Sequence, residues 1–320
     1  MVLDVAQTVL VTGGAGFIGS WTCELLVGSG YNVVIVDDFS SGSIENIRFL
    51  LDYVKIERAD ISDYEKITEI IRTHKPEAII HLAARVSVDE VGNDPRTGYN
   101  VNVTGTFNLL EAARRFDIER FVYASSAAVY GEPVELPIKE THPLQPINVY
   151  GATKLAGEAL VHAYRGNYGL STIALRYFNV YGPKMKPGPY AGVIYKFLKA
   201  ALLGKPIEIY GDGAQTRDFV FVADVARANV QALKTKATGA YNVGTGTATS
   251  IENLAKMVLF ITGRQDVPIL YKPPRKSDIT HSYADISRTI KDLSWTPEID
   301  LLTGLKITLE HLEKTIFYRF

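Results

Sequence analysis

Residues 12–20 read Thr12-Gly13-Gly14-Ala15-Gly16-Phe17-Ile18-Gly19-Ser20, and the fold is decided by where this run stands. It leaves a buried β-branched strand, Thr8–Thr12, and enters a helical pattern from Phe17 to Gly28. Gly13, Gly16 and Gly19 are three residues apart. Glycine at such positions permits a sharp turn, close approach of the backbone to a ligand, and tight packing of helix on strand. The N–H groups that open the helix then face a diphosphate. A glycine-rich turn alone is weak evidence. Set between a strand and a helix, it reads as a dinucleotide fingerprint.

Beyond this turn, short apolar runs alternate with helical ones. Asn32–Val36 is a second strand ending on Asp37 and Asp38, Val54–Arg58 a third, and a helix spans Tyr64–His74. Glu77–Leu82 is the fourth strand, followed by one long helix over Val101–Phe116. Arg120–Ala124 is the fifth, Tyr150–Tyr168 the next helix, and Thr172–Arg176 closes the series. This alternation means βαβ units and a parallel sheet covered on both faces. Right-handed crossovers make it a doubly wound α/β sheet of Rossmann type. After Phe178 the rhythm changes: Pro183, Pro187, Gly188 and Pro189 mark an irregular loop, a helix comes next near Val193–Leu203, and later elements are short. The expected division is a cofactor-binding domain over residues 1–178. A smaller mixed α/β substrate-binding domain spans residues 179–320, with some segments returning to the first.

Composition excludes several functions. The 320 residues carry a formal net charge of −1 and no long basic run, which argues against nucleic acid or an anionic membrane as partner. Cys23 is the only cysteine, so neither an internal disulfide nor a cysteine metal site is expected. No apolar stretch reaches the ~18–20 residues of a membrane span, and no leader pattern precedes the first strand. A cytoplasmic location is the default expectation.

Candidate site residues stand at the strand ends. Asp37 ends the second strand, where a carboxylate accepts hydrogen bonds from ribose hydroxyls and repels a 2′-phosphate, favouring NAD over NADP; otherwise Asp37 and Asp38 simply open a polar loop. Asp60 meets the adenine edge or caps its own loop. Leu82, Ala83 and Ala84 supply small side chains where a flat cofactor lies close to backbone. Tyr150 and Lys154 are four apart at the start of a helix and share a face. An ammonium beside a phenol favours phenolate, and the nicotinamide charge pushes the same way, making a general base. Ser126, just after the fifth strand, is placed to hydrogen-bond the same substrate oxygen. A tyrosine and lysine at this spacing are common; their order after the fingerprint and the hydroxyl carries the reading.

The segments TGGAGFIGS, HLAA, NVTGTFNLLEA, SSAAVYGEP, YGATK, LRYFNVYGP, IYGDGAQTRDFVFVADVA and PPRKSD run from residue 12 to about residue 285. With them the chain resembles the extended short-chain dehydrogenase/reductases, and within these the UDP-glucose 4-epimerases. The resemblance implies catalysis by Ser126, Tyr150 and Lys154, with Asn102, Tyr177 and Phe178 near the nicotinamide. It implies that Asn179, Arg217 and Arg275 contact the substrate diphosphate, that Asp278 holds the nucleotide ribose, and that backbone near Val193 and Tyr210 meets the base. Gly13, Gly16, Phe17, Ile18, Asp38, Ser40, Ser41, Gly42 and Ile61 complete the expected NAD contacts.

Many reactions of this family begin alike, with Tyr150 taking the sugar 4-hydroxyl proton and NAD the C4 hydride. Dehydratases of the family then use an acidic pair between the hydroxyl residue and VYG, and related decarboxylases a glutamate. Here those positions are Ala127 and Ala128, which move no proton. Epimerisation needs only the hydride and proton returned to the opposite face, so 4-epimerisation of a UDP-hexose is expected. Ser282, small and beside the sugar's C2 by the same resemblance, predicts that N-acetylated sugars fit. The alternatives are a UDP-glucuronate epimerase, a dTDP-sugar enzyme, or a non-catalytic NAD-binding protein. The resemblance also implies a homodimer formed by the helices near Val101–Phe116 and Tyr150–Tyr168.

Overall fold

The computed structural model describes residues 7–188, 191–274 and 279–317. In chain order the first elements are β1 (Thr8–Thr12), α1 (Phe17–Gly28), β2 (Asn32–Asp37), β3 (Val54–Arg58), α2 (Tyr64–His74), β4 (Ala78–His81), α3 (Val88–Asn93), α4 (Pro95–Tyr99), α5 (Gly105–Arg115), β5 (Arg120–Ser126), α6 (Val149–Tyr168) and β6 (Thr172–Tyr177). They are succeeded by β7 (Asn179–Tyr181), α7 (Val193–Leu202), β8 (Ile207–Tyr210), β9 (Thr216–Arg217), β10 (Phe219–Phe221), α8 (Val222–Lys234) and β11 (Gly239–Val243). The last are β12 (Thr249–Ser250), α9 (Ile251–Ile261), β13 (Ile269–Lys272), α10 (Ser287–Leu293) and α11 (Leu301–Phe317).

The main sheet has seven strands in the order β11-β6-β5-β4-β1-β2-β3, all parallel. Strand order reverses on either side of β1, which pairs with β2 and with β4. The crevice beyond the carboxyl ends of β1 and β4 is therefore the switch point, where ligands of such sheets bind. Both faces of β1 are buried, since successive side chains alternate between the two helix layers. Val9 and Val11 pack into one core with Cys23 and Leu26 of α1 and Val225 of α8. Leu10 packs into the other with Ile67 of α2, Leu109 of α5 and Val161 of α6. A third core joins α7, β8, β10, α9 and α11.

Three expectations need correction. The sheet does not close with β6: β11 pairs along its outer edge, Gly239 with Ile173 through Val243 with Tyr177. The short run GAYNV, with a glycine and an asparagine, carries little strand signal. The helix expected over Val101–Phe116 is broken, because Asn100–Thr104 form a wide π-turn between α4 and α5. Buried Asn102 causes the departure by pairing with other segments. Its Oδ1 accepts the Arg85 N–H at 2.8 Å, and its Nδ2 donates to the Arg85 carbonyl at 3.0 Å and to Thr153 Oγ1 at 2.9 Å. Finally, β5 runs two residues further than expected, so Ser126 is its last residue rather than part of a subsequent loop.

Candidate active site

The turn after β1 is built by close approach. Gly13 has φ +69°, and a Cβ there would lie 2.8 Å from the Ala83 backbone nitrogen. A Cβ on Gly19 would overlap the Gly13 carbonyl oxygen. The strand end is held by its neighbours, with the Gly13 N–H donating to the Val36 carbonyl and the Leu82 N–H to the Thr12 carbonyl. No side chain caps α1 at Gly16, so the helix presents its N-terminal backbone donors and positive dipole end to the crevice.

Asp37, 6% exposed, sits at the end of β2. Its two oxygens accept the Ala15 and Phe39 N–H groups, each at 2.9 Å. Burial pushes this carboxyl above the usual range, and the two N–H bonds oppose the shift. Asp38 accepts from the N–H and hydroxyl of Ser40. Asp60 accepts the Ser62 N–H at 2.8 Å, so one of its oxygens caps its own loop.

Ser126, Tyr150 and Lys154 meet across the ends of β5 and α6. Asn148 caps α6, its side chain accepting the Gly151 N–H at 2.8 Å, and this fixes where the helix begins. The Ser126 hydroxyl faces the Tyr150 phenol and favours its anion. Lys154 is 4% exposed, with Nζ 4.4 Å from the centroid of the Tyr123 ring. Burial pushes the Tyr150 phenol up, against the effect of Ser126, and brings Lys154 down to about 7, against the pull of Glu158. Both groups are desolvated, and desolvation favours the neutral form of each.

A single cleft of about 1200 Å³ is lined by the turn, by these three residues and by the elements beyond β6. Along one side stand Gly13, Gly16, Phe17, Ile18, Asp37, Asp38, Ser40, Ser41, Asp60, Ile61, Leu82, Ala83 and Ala84. Tyr177, Phe178, Asn179, Val193, Tyr210, Arg217 and Ser282 line the remainder. The Tyr177 hydroxyl is committed to Asn229 at 2.5 Å. Gly42 and Asn102 stand behind the wall, Gly42 against the Asp37 carboxylate and Asn102 against Arg85. Arg275 and Asp278 lie outside the described residues. Ala127 and Ala128 line the cleft beside Ser126. Among the lining residues that escaped the sequence reading are Arg85, Asp89 and Lys186. Lys186 donates to the Gly42 carbonyl at 3.3 Å from a proline-rich loop that bears no motif. Among the described residues there is no cluster able to hold a metal ion and no helix long and apolar enough to cross a membrane.

A family model described as GDP-mannose 4,6 dehydratase matches residues 10–308. The chain belongs to this family, the extended short-chain dehydrogenase/reductases. It is 41% identical over 305 residues to the UDP-glucose 4-epimerase of Mycolicibacterium smegmatis, across 94% of this chain and 97% of that one. Among solved structures, the Thermotoga maritima UDP-glucose 4-epimerase with UDP-glucose superposes with a TM-score of 0.93 at 38% identity, covering 97% of this chain and 100% of that one. The Thermus thermophilus UDP-glucose 4-epimerase complex with NAD gives 0.89 at 36%, covering 97% and 100%. A UDP-N-acetylglucosamine 4-epimerase from Methanobrevibacter ruminantium gives 0.92 at 34%, covering 97% and 99%. This family member is thus similar to nucleotide-sugar 4-epimerases with more than one sugar.

Proposed function

We propose that the protein is an NAD-dependent 4-epimerase of a UDP-hexose, interconverting UDP-galactose and UDP-glucose. The observation that carries this reading is the cleft itself. It joins a glycine turn for a diphosphate, an acid/base pair and an arginine, and has alanines where related dehydratases carry acids. The turn fits NAD: a Cβ would fill the space at Gly13, uncapped N–H groups open α1, and Asp37 stands at the ribose end.

Tyr150 removes the proton from the sugar 4-hydroxyl and returns it after the ring has turned over. Ser126 donates to the same oxygen and steadies it as negative charge develops there. Lys154, when protonated, favours the phenolate. NAD, when bound, supplies the hydride acceptor at C4 and a positive ring beside the phenol. Arg217 holds the diphosphate by a charge-assisted contact, joined by Asn179 and, in the same reading, Arg275, while Asp278 holds the nucleotide ribose. Val193 and Tyr210 frame the base. Ala127 and Ala128 leave the C5 proton and C6 hydroxyl untouched, so the keto sugar is reduced rather than dehydrated.

The same alanines weigh against a uronate, since neither side chain can donate to a carboxylate on C5. Ser282 is small and lines the cleft, which supports acceptance of an N-acetyl group at C2. Purified protein with NAD is expected to convert UDP-galactose to UDP-glucose with no net NADH, and to turn over UDP-N-acetylglucosamine more slowly. Binding of NAD without conversion of either sugar would overturn the assignment. Phe107 on α5 and Tyr168 at the end of α6 stay 45% and 55% exposed in the single chain. They support a homodimer through these helices, expected at about twice 35.3 kDa by light scattering.

A further inference from the structure

We propose that the buried pair Glu158–Arg176 is the positioning element of the Tyr150–Lys154 site, fixing the register of α6 against β5 and β6 and giving the Lys154 ammonium its counter-charge. The proposal rests on reading Tyr150 and Lys154 as the acid/base pair. Glu158 stands one turn beyond Lys154 and two beyond Tyr150, on the same helical face. Its side chain is 1% exposed and that of Arg176 4%. Oε2 accepts the Ser125 hydroxyl at 2.6 Å, and Ser125 is the neighbour of Ser126. The Arg176 guanidinium donates to the same carboxylate through Nε at 3.1 Å and Nη2 at 2.5 Å, and Arg176 is the neighbour of Tyr177.

One carboxylate therefore ties three elements together at positions adjacent to Ser126, Lys154 and Tyr177. Arg176 extends the network, donating through Nη1 to the Tyr130 hydroxyl at 2.9 Å and the Glu140 carbonyl at 3.0 Å. A buried ion pair is often no more stabilising than well-packed apolar side chains. Its place here is explained by what it positions.

Charge points to the same role. Lys154 packs on the Tyr123 ring from β5, with His81 of β4 close enough to feel its charge. Burial keeps His81 and Tyr123 neutral, the one pushed down and the other up. The carboxylate whose field reaches Lys154 is that of Glu158, and it opposes the desolvation that brings the ammonium down to about 7. Arg176, of opposite charge, is paired to that carboxylate, and His162 faces Glu158 from the surface at 3.4 Å. The two halves of the pair carry opposite charge, so removing one or the other is expected to move Lys154 in opposite directions.

Titration of Lys154 separates this role from a merely structural one. Protein labelled with [ε-13C]lysine is titrated without nucleotide sugar, and the signal missing from Lys154→Met is tracked. The wild-type midpoint is expected near 7. Glu158→Gln should lower it by about one pH unit and Arg176→Gln raise it by a similar amount, while the double variant returns close to wild type. Both singles break the same ion pair, so movement in one common direction, or no movement, overturns the proposal. Thermal melts identify variants that fold; if one single does not, the direction of the other relative to the double variant decides. The titration needs no substrate, so a wild type inactive on UDP-hexoses would sink the proposed function and leave this result to be read by itself.

Discussion

Replacing Tyr150 with phenylalanine is expected to lower kcat for UDP-galactose by about 10²–10⁴-fold, the range of a lost general acid/base. That corresponds to about 3–5 kcal/mol of barrier. The substitution removes one oxygen and keeps the ring that packs at the start of α6, so UDP and NAD should bind with little change. Steady-state rates beside calorimetric affinities check both halves. Ser126 favours the anion of that hydroxyl, but burial opposes it. Burial holds the phenol up, so its anion forms only when positive charge is brought close. A variant retaining full activity would mean that the 4-hydroxyl proton leaves by another route, with Ser126 or a water as the acceptor. In wild type the rate should fall as pH rises through the Lys154 titration, because neutral lysine no longer favours phenolate.

Gly19→Ala should weaken NAD binding by about ten- to 100-fold. The added Cβ would overlap the Gly13 carbonyl oxygen and lie 2.8 Å from the Gly14 Cα. Both obstacles are backbone and cannot rotate away. Relief requires α1 to move off the turn, at roughly 1–3 kcal/mol for an overpacked contact, and the groups displaced are those that the proposed function sets against the diphosphate. About 1.4 kcal/mol is one tenfold step in affinity. Gly28→Ala, at the other end of the same helix, is the control. Nothing lies within 4 Å of its Cβ position, so it should be neutral or slightly stabilising. Fluorescence or calorimetric titration with NAD, together with thermal melts, separates the two. Equal affinities for both variants would show that the turn does not contact the cofactor.

The matching family model bears the name of a dehydratase, while the residues beside Ser126 are Ala127 and Ala128. In the proposed reaction the fold supplies the steps common to the family, and one short helical turn at the end of β5 selects the fate of the keto sugar. A dinucleotide cleft does not dictate the product. Side chains able to move a second proton do.

The parallel strands and the helices between them were legible in the sequence, because apolar runs and glycine turns are local signals. The boundaries of β1, α1, β3 and α2 coincide with the sequence reading to the residue. The candidate chemistry was legible too, since Tyr150 and Lys154 four apart on a helix share a face wherever that helix sits. Tertiary packing settled the rest. The π-turn at Asn102 arises from hydrogen bonds to residues far along the chain, and no helical propensity records it. The seventh strand joined the sheet because β6 had a free edge. Lys186 reached the loop at Gly42 from beyond β7. Above all, burial pushes Tyr150 up and Lys154 down, with Glu158 opposing the shift of Lys154, and their spacing records neither. Spacing fixes which groups are neighbours, but the free energy of a charge depends on how much water and which opposite charges the whole fold leaves beside it.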